Sequence, residues 1–405
     1  MAVTAGSWRK LLTISLPAAA VAAVVVMGGI ELWVRAAWDP RKGDPGFFLS
    51  DAARGLRLAA GYDGWFAGVP VHIDSLELRD PREYDLAKRP NTFRILVLGD
   101  SVTFGHGSVY EHTYPYLVEQ RLKAWRPDVD WQVWNAAVPG YNTSQELAHL
   151  LEVGDRFRPD LVVVGFFFND LVDNYPVRPP GWLRTVAMRA LTVARRHLYS
   201  LELYKKVYLT FVWRMSGSDD YRRRLEHLGT EEELFTSTSD ASTLPQQQIT
   251  QFERLTDEQV RNVNCVYGMK PNPSIIQRIQ ATAGFSEWLE AVRSFQQLNR
   301  EGRYRIVFFV NDVPPVCPDG DVFYDGGTNA INEFYTRILG DGTPAVSCHD
   351  AFLHVRPSQM PEARGHAVGN ANVVKADVLF EFLRNRILPG LRPAAGGDDR
   401  SRSRS

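Results

Sequence analysis

The side chains of this 405-residue chain best suited to chemistry begin with Ser101. It ends a run of branched apolar residues, Ile95-Leu-Val-Leu98, through Gly99-Asp100-Ser101. A buried parallel strand has this look when it delivers one hydroxyl to the carboxyl edge of a sheet, where open α/β sheets bind ligands. Glycines at 99, 105 and 107 allow tight turns beside that hydroxyl. An alcohol is a weak nucleophile until a base takes its proton, and a neutral imidazole suits that task. Of nine histidines, His349, His354 and His366 are the candidates for that base. The competing structural reading makes Ser101 an ordinary helix cap.

The elements that must hold these residues follow from hydrophobic pattern. Strands are expected over residues 93–98, 131–135, 161–168, 304–310 and 345–348, the third apolar on both faces and therefore central. Helices are expected from Thr113 to Trp125, with Thr113 as cap and Pro115 in the first turn, and from a capping box at Thr143-Ser-Gln-Glu146. Others are expected over residues 274–299, 330–339 and 372–386, and one long basic helix over residues 181–215. Alternating strands and helices indicate a three-layer α/β/α domain with a doubly wound, mostly parallel sheet. The domain is divided as 92–170 and 303–388, with a helical insertion over 171–302. A lead-in over 35–91 carries short strands, and the Pro/Gly/Arg/Ser tail over 392–405 should be disordered.

Four pieces then share one edge: Gly99-Asp100-Ser101 after the first strand, Gly140 after the second, Asn169 after the third, and His366 just before the last helix. Together they resemble the SGNH/GDSL hydrolase superfamily, in its membrane-anchored bacterial branch, over roughly residues 92–170 and 303–388. The resemblance implies a flavodoxin-like fold, Ser101 as nucleophile and His366 as base. It also implies an oxyanion hole made of the Ser101 N–H, the Gly140 N–H and the Asn169 amide. The competing structural readings are a type II turn at Pro139-Gly140 and a helix cap or turn at Asn169. The sequence departs from the family at the acid. An aspartate usually stands two or three residues before the histidine, where Arg364 and Ala363 stand here; Glu362 and Asp350 are the substitutes to consider. Ala371 replaces a usual glycine.

The expected activity is hydrolysis of a carboxylic ester through an acyl-enzyme, with no cofactor and no metal. The substrate is an acyl ester of a glycan, a lipid or a small molecule. An O-acyltransferase acting on cell-envelope glycan would use the same site, and a catalytically weak binding or assembly protein would keep only the fold. A formal net charge of −1 gives no basic field for nucleic acid.

Residues 11–30 carry no charge and follow Arg9-Lys10, which predicts a membrane anchor over 11–34 in preference to a cleaved signal peptide. Residues 1–10 would then be cytoplasmic and the catalytic domain outside, on the periplasmic side. The insertion, basic and aromatic, reads as a helical cap or a membrane-surface element, the cap preferred. Cys265, Cys317 and Cys348 have no metal spacing, and a Cys317–Cys348 bridge is the expected pairing. Asn142-Thr-Ser144 is a formal glycosylation sequon. Oligomeric state is left open.

Overall fold

The computed structural model describes residues 15–38, 45–51, 53–168, 170, 182–216, 273–314, 326–360, 362–363 and 366–389. Helix α1, Leu16–Ala37, comes first; by length and composition it can cross a membrane, a test that a signal sequence also passes. The lead-in is more structured than a linker. Strands β1 (Phe48–Asp51) and β2 (Gly55–Leu58) form one antiparallel hairpin, and β3 (Tyr62–Phe66) and β4 (Val69–Ile73) another. Their apolar residues make a small core of their own, which also takes in Phe104, Val138 and Tyr141 from the neighbouring α/β domain.

That domain begins with β5 (Thr92–Gly99), which leads through the short helix α2 (Ser101–Phe104) to α3 (Tyr114–Trp125). Strand β6 (Asp130–Asn135), helix α4 (Thr143–Phe157) and strand β7 (Leu161–Phe166) follow. Helices α5 (Trp182–His197) and α6 (Ser200–Ser216) stand where one long helix was expected. Then come α7 (Pro273–Gln280), α8 (Ala283–Arg300), β8 (Ile306–Val310), α9 (Gly326–Leu339) and β9 (Ala345–Ser347). A short helix α10 (His349–Phe352) leads to the two-residue strands β10 (Glu362–Ala363) and β11 (His366–Ala367), and α11 (Asn370–Phe382) closes the fold.

Strands β5 to β9 form one wholly parallel sheet in the order β6-β5-β7-β8-β9. Numbered within the sheet this is 2-1-3-4-5, the flavodoxin-like order, whose direction of winding reverses beside its first strand. Alternate residues of β5 feed opposite faces, as a pleated strand requires. Leu96 and Leu98 join Phe157, Trp288 and Phe295 from α4 and α8, while Ile95 and Val97 join Val118, Leu122 and Leu379 from α3 and α11. Helix α8 thus lies in the stretch assigned to the insertion yet supplies a main layer of the α/β core.

Several local expectations need correction. The capping box is made by Asn142 and Gln145, one residue earlier than the Thr143–Glu146 pair: each side chain accepts from the other's backbone N–H. Asn142 is thereby buried, which takes its sequon out of reach of a glycan. Thr113 occupies the cap position of α3 but makes no capping bond; its hydroxyl donates to the Tyr110 carbonyl. Cys348 is a free buried thiol donating to the Asp312 carbonyl, against the expected bridge. Cys317, Cys265, Asn169, the stretch 217–272 and the tail from 390 lie outside the described residues.

One glycine decides how the centre packs. Gly165 on β7 pairs with Gly99 on β5, and a Cβ at 165 would overlap Thr103 Oγ1 and stand 2.9 Å from the Tyr114 hydroxyl. Thr103 fills that space because its hydroxyl accepts from Tyr114 (3.0 Å) and from the Asn311 amide (3.1 Å). Gly165→Ala is expected to lower stability by about 3 kcal/mol, since it both overpacks the core and breaks a buried polar network. Urea unfolding midpoints of the two proteins check this.

Candidate active site

The serine turn is built by its own neighbours. Asp100 leaves β5 in an extended conformation and its carboxylate accepts the Val102 N–H at 2.9 Å, capping α2 and setting Ser101 at the helix's first position. The chain then turns at Gly105, where φ is +86° and the left-handed backbone favours glycine. The loop that follows is held from outside by Arg79 of the lead-in. The Arg79 guanidinium is buried and donates to the carbonyls of Phe104, Gly105 and Ser108.

Opposite, His366 opens β11, which pairs with β10 so that Ala363 faces His366 and Glu362 faces Ala367. His366 Nε2 lies 2.8 Å from Ser101 Oγ. The structure therefore brings the two residues together across the chain, and brings His366 rather than His349 or His354 to the serine. The His106 ring stacks on the His366 ring with centroids 4.5 Å apart and planes 25° apart. Asp350 is exposed on α10.

Gly140 sits in a turn closed by the Tyr141 N–H to the Val138 carbonyl (3.0 Å), with φ +83°. That is the conformation a type II turn demands of its third residue. The same loop is stitched to the serine turn by the Val138 N–H donating to the Gly99 carbonyl at 2.9 Å. Among the described residues, neither the Ser101 nor the Gly140 N–H is drawn into a turn or cap bond.

Asn169 itself lies outside the described residues, but both its neighbours are tied. The Phe168 N–H donates to Asp312 Oδ1 at 2.9 Å, and Asp170 Oδ2 accepts from the Thr143 hydroxyl at 3.0 Å. Burial pushes the Asp170 carboxyl well above the usual carboxylate range, helped by Glu146 and Asp100 nearby. Glu146 is raised likewise, by burial first and the Asp100 charge second. A carboxyl that holds its proton more tightly lessens the cost of burying charge under this edge. Among the described residues no group of three or more His, Cys, Asp or Glu side chains is arranged to hold a metal ion.

Residues 97–232 match the model of the GDSL-like lipase/acylhydrolase family. That stretch holds Ser101 and the turn around it. An arylesterase of Vibrio mimicus is 34% identical over 83 residues, 20% of this chain; the chain spans only 40% of that protein's length. Among solved structures, the chain is similar to an acetylxylan esterase from Geobacillus stearothermophilus (14% identity, 72% of this chain and 93% of that one, TM-score 0.33). A GDSL-like lipase from Bacteroides thetaiotaomicron is also similar (8% identity, 72% and 87%, TM-score 0.30). At such scores these likenesses carry no weight beside the strand order.

Three contributors to this site were not read from sequence: Arg79, His106 and Asp312. His106 stands between two glycines close after the serine, a local signal, but its stacking on His366 depends on a contact far along the chain. Asp312 follows β8 and accepts from the Tyr335 hydroxyl as well as from Phe168. Burial raises its carboxyl to about 6, partly offset by those hydrogen bonds. An acid raised in the folded state holds its proton more tightly there, so stability falls as pH rises from about 4 to about 6. Against its usual value of 3.8 the difference amounts to about 3 kcal/mol. Asp312→Asn is expected to remove this dependence: relative to the parent it gains stability between pH 4.5 and 7, read from urea midpoints at the two pH values.

Proposed function

We propose that this chain is a membrane-anchored serine ester hydrolase that cleaves an O-acyl ester, with acetyl the leading candidate, through an acyl-enzyme. The observation that carries the reading is the 2.8 Å approach of His366 Nε2 to Ser101 Oγ at the carboxyl edge of the sheet. His366 takes the serine proton as Oγ attacks the ester carbonyl, then returns it to the leaving alkoxide. Water, activated by the same imidazole, releases the acid. The oxyanion formed at each stage is to be met by the N–H groups of Ser101 and Gly140 and by the Asn169 amide. Such donors act because they are fixed before charge develops, and removing one lowers the rate by about 10²–10³. Glu362 and Asp350 are the acids to be tested for orienting His366; the exposure of Asp350 on α10 weighs against that residue.

The test uses the full chain in detergent micelles with a short-chain aryl ester and a fluorophosphonate. Ester turnover together with phosphonylation of Ser101, both lost in Ser101→Ala, is the expected result. Absence of turnover and labelling in the parent would leave a binding protein on this fold. Acyl transfer to an added glycan that outruns hydrolysis would make it an acyltransferase.

A further inference from the structure

The anchor helix is not a bare tether. Near its outer end Glu31 accepts three hydrogen bonds: from Arg35 Nε at 2.6 Å, from the Tyr199 N–H at 3.0 Å and from the Ser200 N–H at 2.8 Å. Tyr199 and Ser200 form the elbow at which α5 ends and α6 begins. The carboxylate therefore sits on the N-terminus of α6, where exposed N–H groups and the helix dipole favour negative charge. Arg35 also donates to the His197 carbonyl and lies 4.8 Å from the Tyr199 ring centroid, and Trp38 meets Tyr199 edge-on at 5.1 Å. Val34, the one buried residue of α1, lies in the same stretch.

The 22 residues of α1, rising about 1.5 Å each, span about 33 Å, close to a hydrocarbon core of about 30 Å. Glu31, six residues before the end of the helix, would then sit within about 9 Å of the water side. That is the level at which tryptophan, tyrosine and arginine anchor membrane proteins, and where a paired carboxylate is tolerable.

From this elbow both helices carry uncovered apolar stripes. On α6, Tyr204, Val207, Tyr208, Phe211 and Met215 follow helical spacing along one face, with Phe211 62% and Met215 73% exposed. On α5, Trp182, Val186 and Val193 share a face, with Trp182 74% exposed. Neither helix suits a membrane crossing. Helix α5 contains four arginines and no acidic residue, and α6 contains Glu202, Lys205, Lys206 and Arg214. Cationic helices with one apolar face lie in the interface of a bilayer, held by burial of that face and by anionic headgroups.

We infer that α5 and α6 form a second membrane contact, lying in the interfacial plane with their apolar stripes toward lipid and clamped to the anchor through Glu31. This rests on the anchor reading of α1. Because α5 also packs along β1 of the lead-in, the contact would fix the orientation of the catalytic domain on the membrane instead of leaving it on a free tether.

The test is made on the full chain in phosphatidylcholine/phosphatidylglycerol vesicles, with Cys265 and Cys317 replaced by serine. Nitroxide labels are placed, one at a time, through Val207→Cys, Phe211→Cys, Val24→Cys in the anchor and Asp63→Cys as a water-exposed reference. Power saturation compares collisions with oxygen and with a water-soluble nickel chelate. The expected result is an oxygen preference several-fold above the Asp63 label at positions 207 and 211, shallower than at 24. Labels at 207 and 211 that behave like Asp63, or that are shielded from both reagents by protein, would overturn the inference while a lipid-exposed Val24 leaves the anchor standing. A Val24 label open to the nickel chelate would overturn the anchor reading and this inference with it.

Discussion

Ser101→Ala is expected to lower kcat for an aryl ester by about 10⁴–10⁶, and His366→Ala by a similar factor, with KM changed little. The two residues act as one unit. In the proposed mechanism the serine oxygen attacks only while the imidazole 2.8 Å away accepts its proton, and the imidazole then passes that same proton to the leaving alkoxide. The double variant should therefore be no slower than either single one. Residual rate in all three would come from binding and from the oxyanion donors, which these substitutions leave in place. Steady-state kinetics on the three proteins check the prediction. Losses that multiply in the double variant would show that Ser101 and His366 contribute independently, and the acyl-enzyme mechanism would have to be abandoned.

Arg79→Ala is expected to have the largest effect on stability of the substitutions considered, with a loss of rate beside it. The guanidinium is almost wholly buried, lies 4.3 Å from the Phe104 ring centroid, and donates to three carbonyls of the loop that follows Ser101. Removing it withdraws a charged donor from each of those buried carbonyls, of which Gly105 O keeps the Ser108 N–H and Phe104 O the Asn135 amide, and opens a cavity, a loss of about 3–5 kcal/mol in all. The loop also carries His106, which stacks on His366. Its release should misplace the imidazole, and a displacement near 1 Å can lower the rate about 10²-fold. Arg79→Lys is expected to recover little, because one ammonium on a flexible stem does not reproduce a planar fork spanning three acceptors. Urea midpoints and the kcat of the folded fraction separate the two effects, with Arg57→Ala, at a partly exposed surface site, as control.

How much of this was legible beforehand can be judged residue by residue. The strand ending at Gly99-Asp100-Ser101 was readable because burial on both faces demands an unbroken apolar run, and the break is abrupt. His366 was readable only through its resemblance to a histidine block, since a single imidazole among nine has no local mark. The capping box was misplaced by one residue because Asn142 and Thr143 are both good caps; the backbone at Asn142, extended before the first turn, decided between them. The long basic helix was drawn as continuous because nothing in the run Leu198-Tyr199-Ser200 forbids helix. The break there is stabilised by Glu31, from a distant part of the chain.

Local order, then, was largely a property of the sequence alone: periodicity, chain turns and the apolar N-terminal helix are written in residues that are neighbours or near neighbours. From these followed the parallel sheet and the serine at its carboxyl edge. The tertiary structure decided what depends on partners far apart in the chain. It seated Arg79 of the lead-in beneath the serine loop, stacked His106 on His366, tied Asp312 to the backbone before Asn169, and left Cys348 as a free thiol. Those contacts are fixed by close packing and by the need of each buried donor and acceptor for a partner, and neither constraint leaves a periodic trace along the chain.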